Sequence, residues 1–143
     1  MRITIPQHHI SIEVSAEWTV DDEDERPTEI FGLYLRSVEH GLYFNVRAQR
    51  AEHHPLTAGG LLRLLREQKW ASPPFDEWGD TAGLLTIVGG TFEMAGDGHG
   101  EVVLEVFATN GQRAANVAGP GERAIIAAAV PAVQRLVRTL SFA

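Results

Sequence analysis

The stretch Glu101-Val102-Val103-Leu104-Glu105-Val106-Phe107-Ala108 is the clearest strand in the sequence, because it is dense in β-branched and aromatic residues. Asn110-Gly111 follows it. This dipeptide is typical of a type I′ hairpin turn, in which both central residues need a positive φ. The sequence therefore predicts an antiparallel hairpin whose second strand runs from Gln112 to Ala118.

Further strands are predicted on both sides of the first helical segment. Ile10–Val14 alternates apolar and polar residues, and residues 30–38 are rich in strand formers. Glu39-His40-Gly41 is a turn, after which Leu42–Ala48 places Tyr43, Asn45 and Arg47 on the face opposite its apolar residues. Residues 84–94 form another predicted strand, in which Gly89-Gly90 marks a bulge or a close backbone approach.

Two segments have helical periodicity. Thr57 is a candidate N-cap for a short amphipathic helix that ends near Trp70. A final helix is predicted from about Glu122 to Ser141, and Pro131 is expected to kink it. Its buried stripe recurs every three or four residues and consists of Ile126, Val130, Val133, Val137 and Leu140.

The predicted order is β-β-β-α-β-β-β-α. Adjacent hairpins make an antiparallel sheet of about six strands, and the amphipathic helices must pack on it. The fold class is α+β, with a single domain over residues 1–143. A helix-grip fold and a cystatin-like fold are the alternatives, but strands that precede the first helix fit them less well.

The composition excludes several classes of function. The chain has 143 residues and a net charge of −7. It contains no cysteine, and this absence rules out thiol catalysis, iron–sulfur clusters and thiolate zinc sites. Nucleic-acid binding is disfavoured because it depends on excess Lys and Arg. No apolar run approaches the ~18 residues of a membrane span. The N-terminus lacks the apolar stretch of a signal peptide, so we expect a cytoplasmic protein that does not bind membranes.

Neither a metal site nor a catalytic site is predicted. His8-His9 and Glu52-His53-His54 lack the spacing of metal ligands, since neighbouring residues on a strand point to opposite faces. The serines include no GxSxG elbow. The acidic run of residues 21–25 lacks the alternation of a calcium loop and is interpreted as a solvated loop. We therefore expect a non-enzymatic protein without a cofactor.

Three aromatic residues are the candidate interaction site. Trp70, Phe75 and Trp78 lie around Pro73-Pro74, in a segment (72–80) for which no regular structure is predicted. Exposed aromatic residues on a loop are typical of a protein-binding surface. The alternative is that they fold back onto the core as a lid, because large aromatic side chains are usually buried.

A candidate anion site is the second hypothesis. Gly119-Pro120-Gly121 is expected to break the preceding strand and to open the final helix, whose free N–H groups could hold an anion. Arg113, Asn116 and Gly121 are its candidate residues. Glu122 argues against the site, because its carboxylate already complements the helix dipole.

The final segment, Leu136-Val137-Arg138-Thr139-Leu140-Ser141-Phe142, together with the hairpin–helix–meander–helix order, resembles the PsbP-like superfamily. That group includes the photosystem II extrinsic protein, the Ran-binding Mog proteins and small bacterial lipoproteins. The resemblance implies a non-enzymatic adaptor that binds another protein. We therefore predict a bacterial protein-interaction domain of adaptor, secretion-associated or immunity type, for which a homodimer is possible. The alternative is a carrier of a small apolar ligand in a cavity between sheet and helices.

Overall fold

The computed structural model describes residues 1–21, 28–50, 53–94 and 100–142. Most of the predicted acidic loop (22–25), Glu52 and residues 96–99 of the predicted glycine-rich turn lie outside these ranges. The helices are α1 (Thr28–Phe31), α2 (Ala58–Arg66) and α3 (Arg123–Val137), and Pro6–His8 form a single 3-10 turn. The strands are β1 (Arg2–Ile5), β2 (Ile10–Glu13), β3 (Trp18–Val20), β4 (Leu33–Ser37), β5 (Tyr43–Gln49), β6 (Phe75–Ala82), β7 (Leu85–Glu93), β8 (Glu101–Thr109), β9 (Ala114–Glu122) and β10 (Ser141–Phe142).

Seven strands form one antiparallel sheet in the order β3-β4-β5-β9-β8-β7-β6. A second antiparallel sheet has the order β1-β2-β10. The predicted fold class, an α+β protein with helices packed on an antiparallel sheet, is confirmed. The six predicted strands correspond to β2, β4, β5, β7, β8 and β9, so β1, β3, β6, β10 and α1 are additions.

Different elements cover the two faces of the seven-stranded sheet. The inner face packs against α3 and the small sheet, and there Leu104 and Val106 of β8 are buried in the main core. The outer face carries α2, whose Leu61 and Leu65 pack in a second core with Phe107 of β8. Because successive residues of a strand point to opposite faces, β8 contributes to both cores.

The prediction that residues 72–80 have no regular structure is wrong for the second part of this segment. From Phe75 onward the chain forms the edge strand β6. Pro73 and Pro74 precede this strand and do not interrupt it. An edge strand needs a ladder on one side only, so its polar residues are tolerated. The register with β7 shifts between Phe75 and Trp78, and Asp76 has φ 49°, which is the geometry of a bulge.

The predicted break at Gly119-Pro120-Gly121 is also wrong, because β9 continues through it to Glu122. The pairing of β9 with β5 ends before Pro120, at the pair Asn45 and Ala118. Pro120 is therefore tolerated, because its missing N–H group is not needed for a hydrogen bond to β5. A Cβ on Gly119 would collide with the Tyr43 carbonyl oxygen, and one on Gly121 would lie 2.7 Å from Leu42 Cδ2. Both glycines therefore allow close packing.

The hairpin between β8 and β9 is present, but its turn is not type I′. Gly111 has φ 93°, whereas Asn110 has no positive φ. Asn110 Oδ1 instead accepts hydrogen bonds from the backbone N–H groups of Gln112 and Arg113, both at 2.9 Å. The side chain thus holds a four-residue loop that the dipeptide rule does not describe.

The helix boundaries agree with the prediction at one end each. Thr57 is the N-cap of α2, and its Oγ1 accepts from Gly60 N at 3.1 Å, but the helix ends at Arg66. α3 begins at Arg123, passes through Pro131 and ends at Val137. Of the predicted stripe, Ile126, Val133, Val137 and Leu140 are buried, and Val130 is half-buried.

Candidate interaction surface

Helix α2 leaves part of the outer face uncovered. Nine helical residues span about 13 Å, whereas seven strands at ordinary spacing make a sheet about 29 Å wide. The helix packs on β7 and β8 through Leu61, Leu64 and Leu65. The outer face of β4 and β5 therefore lies outside its reach.

The uncovered part is built by the alternation of the β4–β5 hairpin. Leu33, Leu35, Phe44 and Val46 point into the main core. The residues between them point outward and form what we call the open face. Its members are Tyr34, Arg36, Tyr43, Asn45 and Arg47.

The strand register fixes the arrangement of the open face. Arg36 lies opposite Tyr43, and its guanidinium carbon is 5.9 Å from the centre of the Tyr43 ring. Tyr34 lies opposite Asn45, whose Nδ2 donates to the Phe31 carbonyl oxygen at 2.8 Å. The aromatic and polar groups are thus held on paired strands rather than on a loop.

The open face carries positive charge that no ion pair of the described residues compensates. Arg36 and Arg47 are exposed and form no salt bridge there. In contrast, the arginines that pair with carboxylates lie elsewhere: Arg2, Arg66, Arg123, Arg135 and Arg138. In a chain of net charge −7, two arginines without a salt bridge among the described residues therefore lie on one face of the β4–β5 hairpin.

A buried carboxylate lies where the open face meets α2. Glu105 of β8 is 5% exposed, and the register places it in one row with Ala118 and Asn45. Burial raises the pKa of Glu105, and the nearby Trp70 indole, the charge of Arg47 and the Asn116 side chain partly oppose this increase. Its Oε2 has no hydrogen-bond partner among the described residues.

The structure divides the predicted aromatic site between two faces. Trp70 follows α2 on the outer face, is 39% exposed and lies near Glu105 at the border of the open face, where its indole lowers the pKa of that carboxyl group. Phe75 and Trp78 pack against the core of the inner face and are half-buried. Arg123 lies over the Phe75 ring, 4.5 Å from its centre. Only Trp70 therefore adjoins the open face.

The candidate anion residues are not brought together. Arg113 and Gly121 lie at opposite ends of β9, about 26 Å apart for eight extended residues. Asn116 is 1% exposed, and its Nδ2 donates to the Val106 carbonyl oxygen at 3.3 Å. Because Gly121 lies in a strand, it offers no helix N-terminus to an anion.

Two of the described histidines have hydrogen-bond partners that fix them in the fold. His8 Nδ1 accepts from Ala48 N at 2.9 Å, and His54 Nε2 lies 2.7 Å from Glu67 Oε2. In the described ranges, no three His, Asp or Glu side chains are grouped as metal ligands. Among the described residues, none of the helices has the length and the hydropathy of a membrane-spanning segment.

Two grooves flank the edge strand β6. One, of about 400 Å³, lies on the outer face between Leu62 of α2 and Val88 of β7. The other, of about 220 Å³, lies on the inner face between Phe75 and the α3 residues Ile126 and Val130. Both are at the sheet edge, away from the open face.

Sequence reasoning missed the open face and the burial of Glu105. Two signals were available in the sequence. The polar side of the 42–48 strand carries Tyr43 and Arg47, and Glu105 is flanked by apolar residues in the 101–108 strand. A period-2 pattern shows that such residues share a face, but not whether a helix covers that face.

The fold is that of the PsbP proteins. The chain is similar to the solution structure of cyanobacterial PsbP (CyanoP) from Synechocystis sp. PCC 6803, with a TM-score of 0.62. The match covers 100% of this chain and 92% of that one, at 9% sequence identity. The predicted resemblance to a PsbP-like fold is therefore confirmed. No protein-family model matches the sequence, and no curated protein matches it either.

Proposed function

We propose that the chain is a non-enzymatic protein-interaction domain that binds its partner through the open face. The observation that carries this proposal is the set of tyrosine and arginine side chains on the part of the outer face that α2 does not cover, bordered by Trp70. Tyr, Trp and Arg are the residue types enriched where protein interfaces gain most of their binding energy. An adaptor, a secretion-associated protein or an immunity-type protein would each use such a surface.

The backbone of the open face supports binding because it is already ordered. β4 and β5 pair with each other over four register positions, and β5 pairs with β9 over five. Side chains on paired strands lose little backbone freedom when a partner binds, whereas side chains on a loop would lose more.

Affinity capture with two matched variants tests the proposal. Tyr43→Ser/Arg47→Ser removes one aromatic and one cation from the open face. Leu84→Ser/Arg63→Ser removes one exposed apolar side chain and one exposed cation elsewhere. The partner should bind the wild-type protein and the second variant, and purified partner should bind the first variant at least about tenfold more weakly. Equal binding to both variants would contradict the proposal.

Carriage of a small apolar ligand has narrower support. The groove of about 400 Å³ has the volume of a small-molecule site. However, Arg66 and Glu77 form an ion pair along it, with Nε to Oε2 at 3.0 Å. Binding of a fluorescent apolar probe that is abolished by Leu62→Ser would favour this alternative.

A further inference from the structure

We propose that the partner offers the open face an extended acidic segment whose carboxylates lie four residues apart. This inference rests on the proposed function and specifies the chemistry of the partner. The observation behind it is the placement of Arg36 and Arg47, two exposed arginines without a salt bridge among the described residues.

The register sets the distance between the two cations. Arg36 lies opposite Tyr43 on the neighbouring strand, and Arg47 follows Tyr43 by four residues along β5. Four extended residues span about 13 Å. A bound segment that runs along β5 in an extended conformation would therefore meet one arginine with residue i and the other with residue i+4.

One row of residues separates the two arginines on the open face. Tyr34 and Asn45 form the row between the two arginines, and Trp70 borders it on the α2 side. These groups combine aromatic surface with polar atoms, and arginine binds carboxylates through paired N–H donors.

Two described carboxylates lie close to the middle of the open face. Asp21 lies beside Tyr34, to whose carbonyl oxygen its N–H donates at 2.9 Å, and Glu105 lies in the row of Asn45 and Ala118. Glu105 is 5% exposed, and its burial raises the pKa and so disfavours the charged form. Arg36 and Arg47 form no salt bridge with a described carboxylate, so their guanidinium groups can pair with carboxylates of a partner, although the whole chain is acidic. Attraction of this kind raises the association rate and selects partners by charge.

The test uses three synthetic peptides of eleven residues and NMR of the full chain. The first has two glutamates four residues apart in a Thr/Val/Ser background. The second has the same composition with adjacent glutamates, and the third has glutamine in place of glutamate. We expect the first peptide to shift the backbone amide signals of β4 and β5 and the Trp70 indole signal, and to bind more tightly than the other two.

Charge-matched variants assign the effect to the open face. Arg36→Gln/Arg47→Gln should bind the first peptide about tenfold more weakly, since two exposed ion pairs of ordinary strength amount to about that factor. Arg63→Gln/Arg113→Gln has the same net charge and removes two exposed arginines elsewhere, so it should bind as the wild type does.

Three results would overturn the inference: equal binding of the first two peptides, equal binding to both double variants, or tighter binding of a heptauridine oligonucleotide at the same amides. The last would assign the face to single-stranded nucleic acid. Failure of the acidic peptide leaves the proposed function standing if the captured partner still loses affinity for Tyr43→Ser/Arg47→Ser. If the acidic peptide does not bind and the captured partner also binds Tyr43→Ser/Arg47→Ser as tightly as the wild type, the proposed function is wrong as well.

Discussion

The Trp78 indole lies directly against the backbone of Gly89, the residue opposite it on β7. A Cβ at position 89 would be 2.8 Å from Trp78 Nε1 and closer still to two ring carbons. The edge strand β6 is thus attached to the inner face by an aromatic ring that needs a glycine beneath it.

We expect Gly89→Ala to destabilise the protein by about 1–3 kcal/mol, because the ring must move away from the sheet. Denaturant unfolding measures the change. Gly59→Ala is the control: a Cβ there meets nothing within 4 Å, and alanine favours the helical state of α2 by up to about 1 kcal/mol. Equal stability of the wild type and Gly89→Ala would refute the packing of Trp78.

Glu105→Gln should stabilise the protein at neutral pH and not at acid pH. Because burial raises the pKa of Glu105 above its ordinary value of 4.5, the contribution of this residue to stability falls as the pH rises from 4.5 through the folded-state pKa. The glutamine side chain carries no charge, so it escapes this loss and should add about 1 kcal/mol at pH 8.

The measurement is the free energy of unfolding of both proteins between pH 4 and pH 8. Glu101→Gln, at an exposed position of the same strand, should follow the wild-type curve. Glu17 and Asp80 have lowered pKa values through Arg135 and Arg138, and their contributions are instead lost as the pH falls. Glu17 and Asp80 are present in the wild type and in both variants. The difference in the free energy of unfolding between the wild type and Glu105→Gln therefore reports on Glu105 alone. A difference that does not change with pH would contradict the prediction.

Trp70→Phe should raise the pKa of Glu105 further. The Trp70 indole near Glu105 lowers the pKa of the carboxyl group and so favours the ionised form, and phenylalanine has no N–H group to do this. A carbon-13 NMR titration of the Glu105 carboxyl group follows the change directly. Phe75→Leu, on the inner face, should leave the titration unaltered, whereas an unchanged curve for Trp70→Phe would show that the indole does not act on the carboxylate.

Replacement of Asn110-Gly111 by Ala-Ala should lower stability by more than about 1 kcal/mol. The change removes an acceptor of two backbone N–H groups and places a Cβ at φ 93°. Thermal unfolding tests it, with Gln112→Ala as the control in the same loop. A melting temperature equal to that of the control would mean that neither the Asn110 side chain nor the Gly111 conformation holds the hairpin.

Local patterns predicted most of the fold. The period-2 alternation of residues 42–48 and the apolar run of residues 101–108 placed β5 and β8, and Thr57 marked the start of α2. These features are decided by neighbours in the sequence, where side-chain alternation and capping operate.

Errors arose where tertiary contacts override local preference. Prolines and acidic residues concealed β6, which is stabilised by its ladder with β7 and by Trp78 on Gly89. Gly119 and Gly121 suggested a turn, yet they serve close packing of β9 against β5 and α3. Single-residue conformational preference cannot distinguish these uses of glycine.

The candidate site was the least predictable part. Trp70, Phe75 and Trp78 are close in sequence, but the edge of the sheet separates Trp70 from the other two. Conversely, Arg36 and Arg47 are distant in sequence and share one face through the β4–β5 register. Which strands α2 covers depends on its length and position, and this decides where the open face lies.

Hydroxyl-radical footprinting of the protein with and without its captured partner shows directly whether the partner covers the open face. Tyr43 and Trp70 are 47% and 39% exposed, so both are oxidised in the free protein. Partner binding should protect both, while Met1 and Leu84, at 71% and 89% exposure away from the open face, stay as reactive as before. Protection of Leu84 or Met1 with unchanged oxidation of Tyr43 and Trp70 would contradict the account.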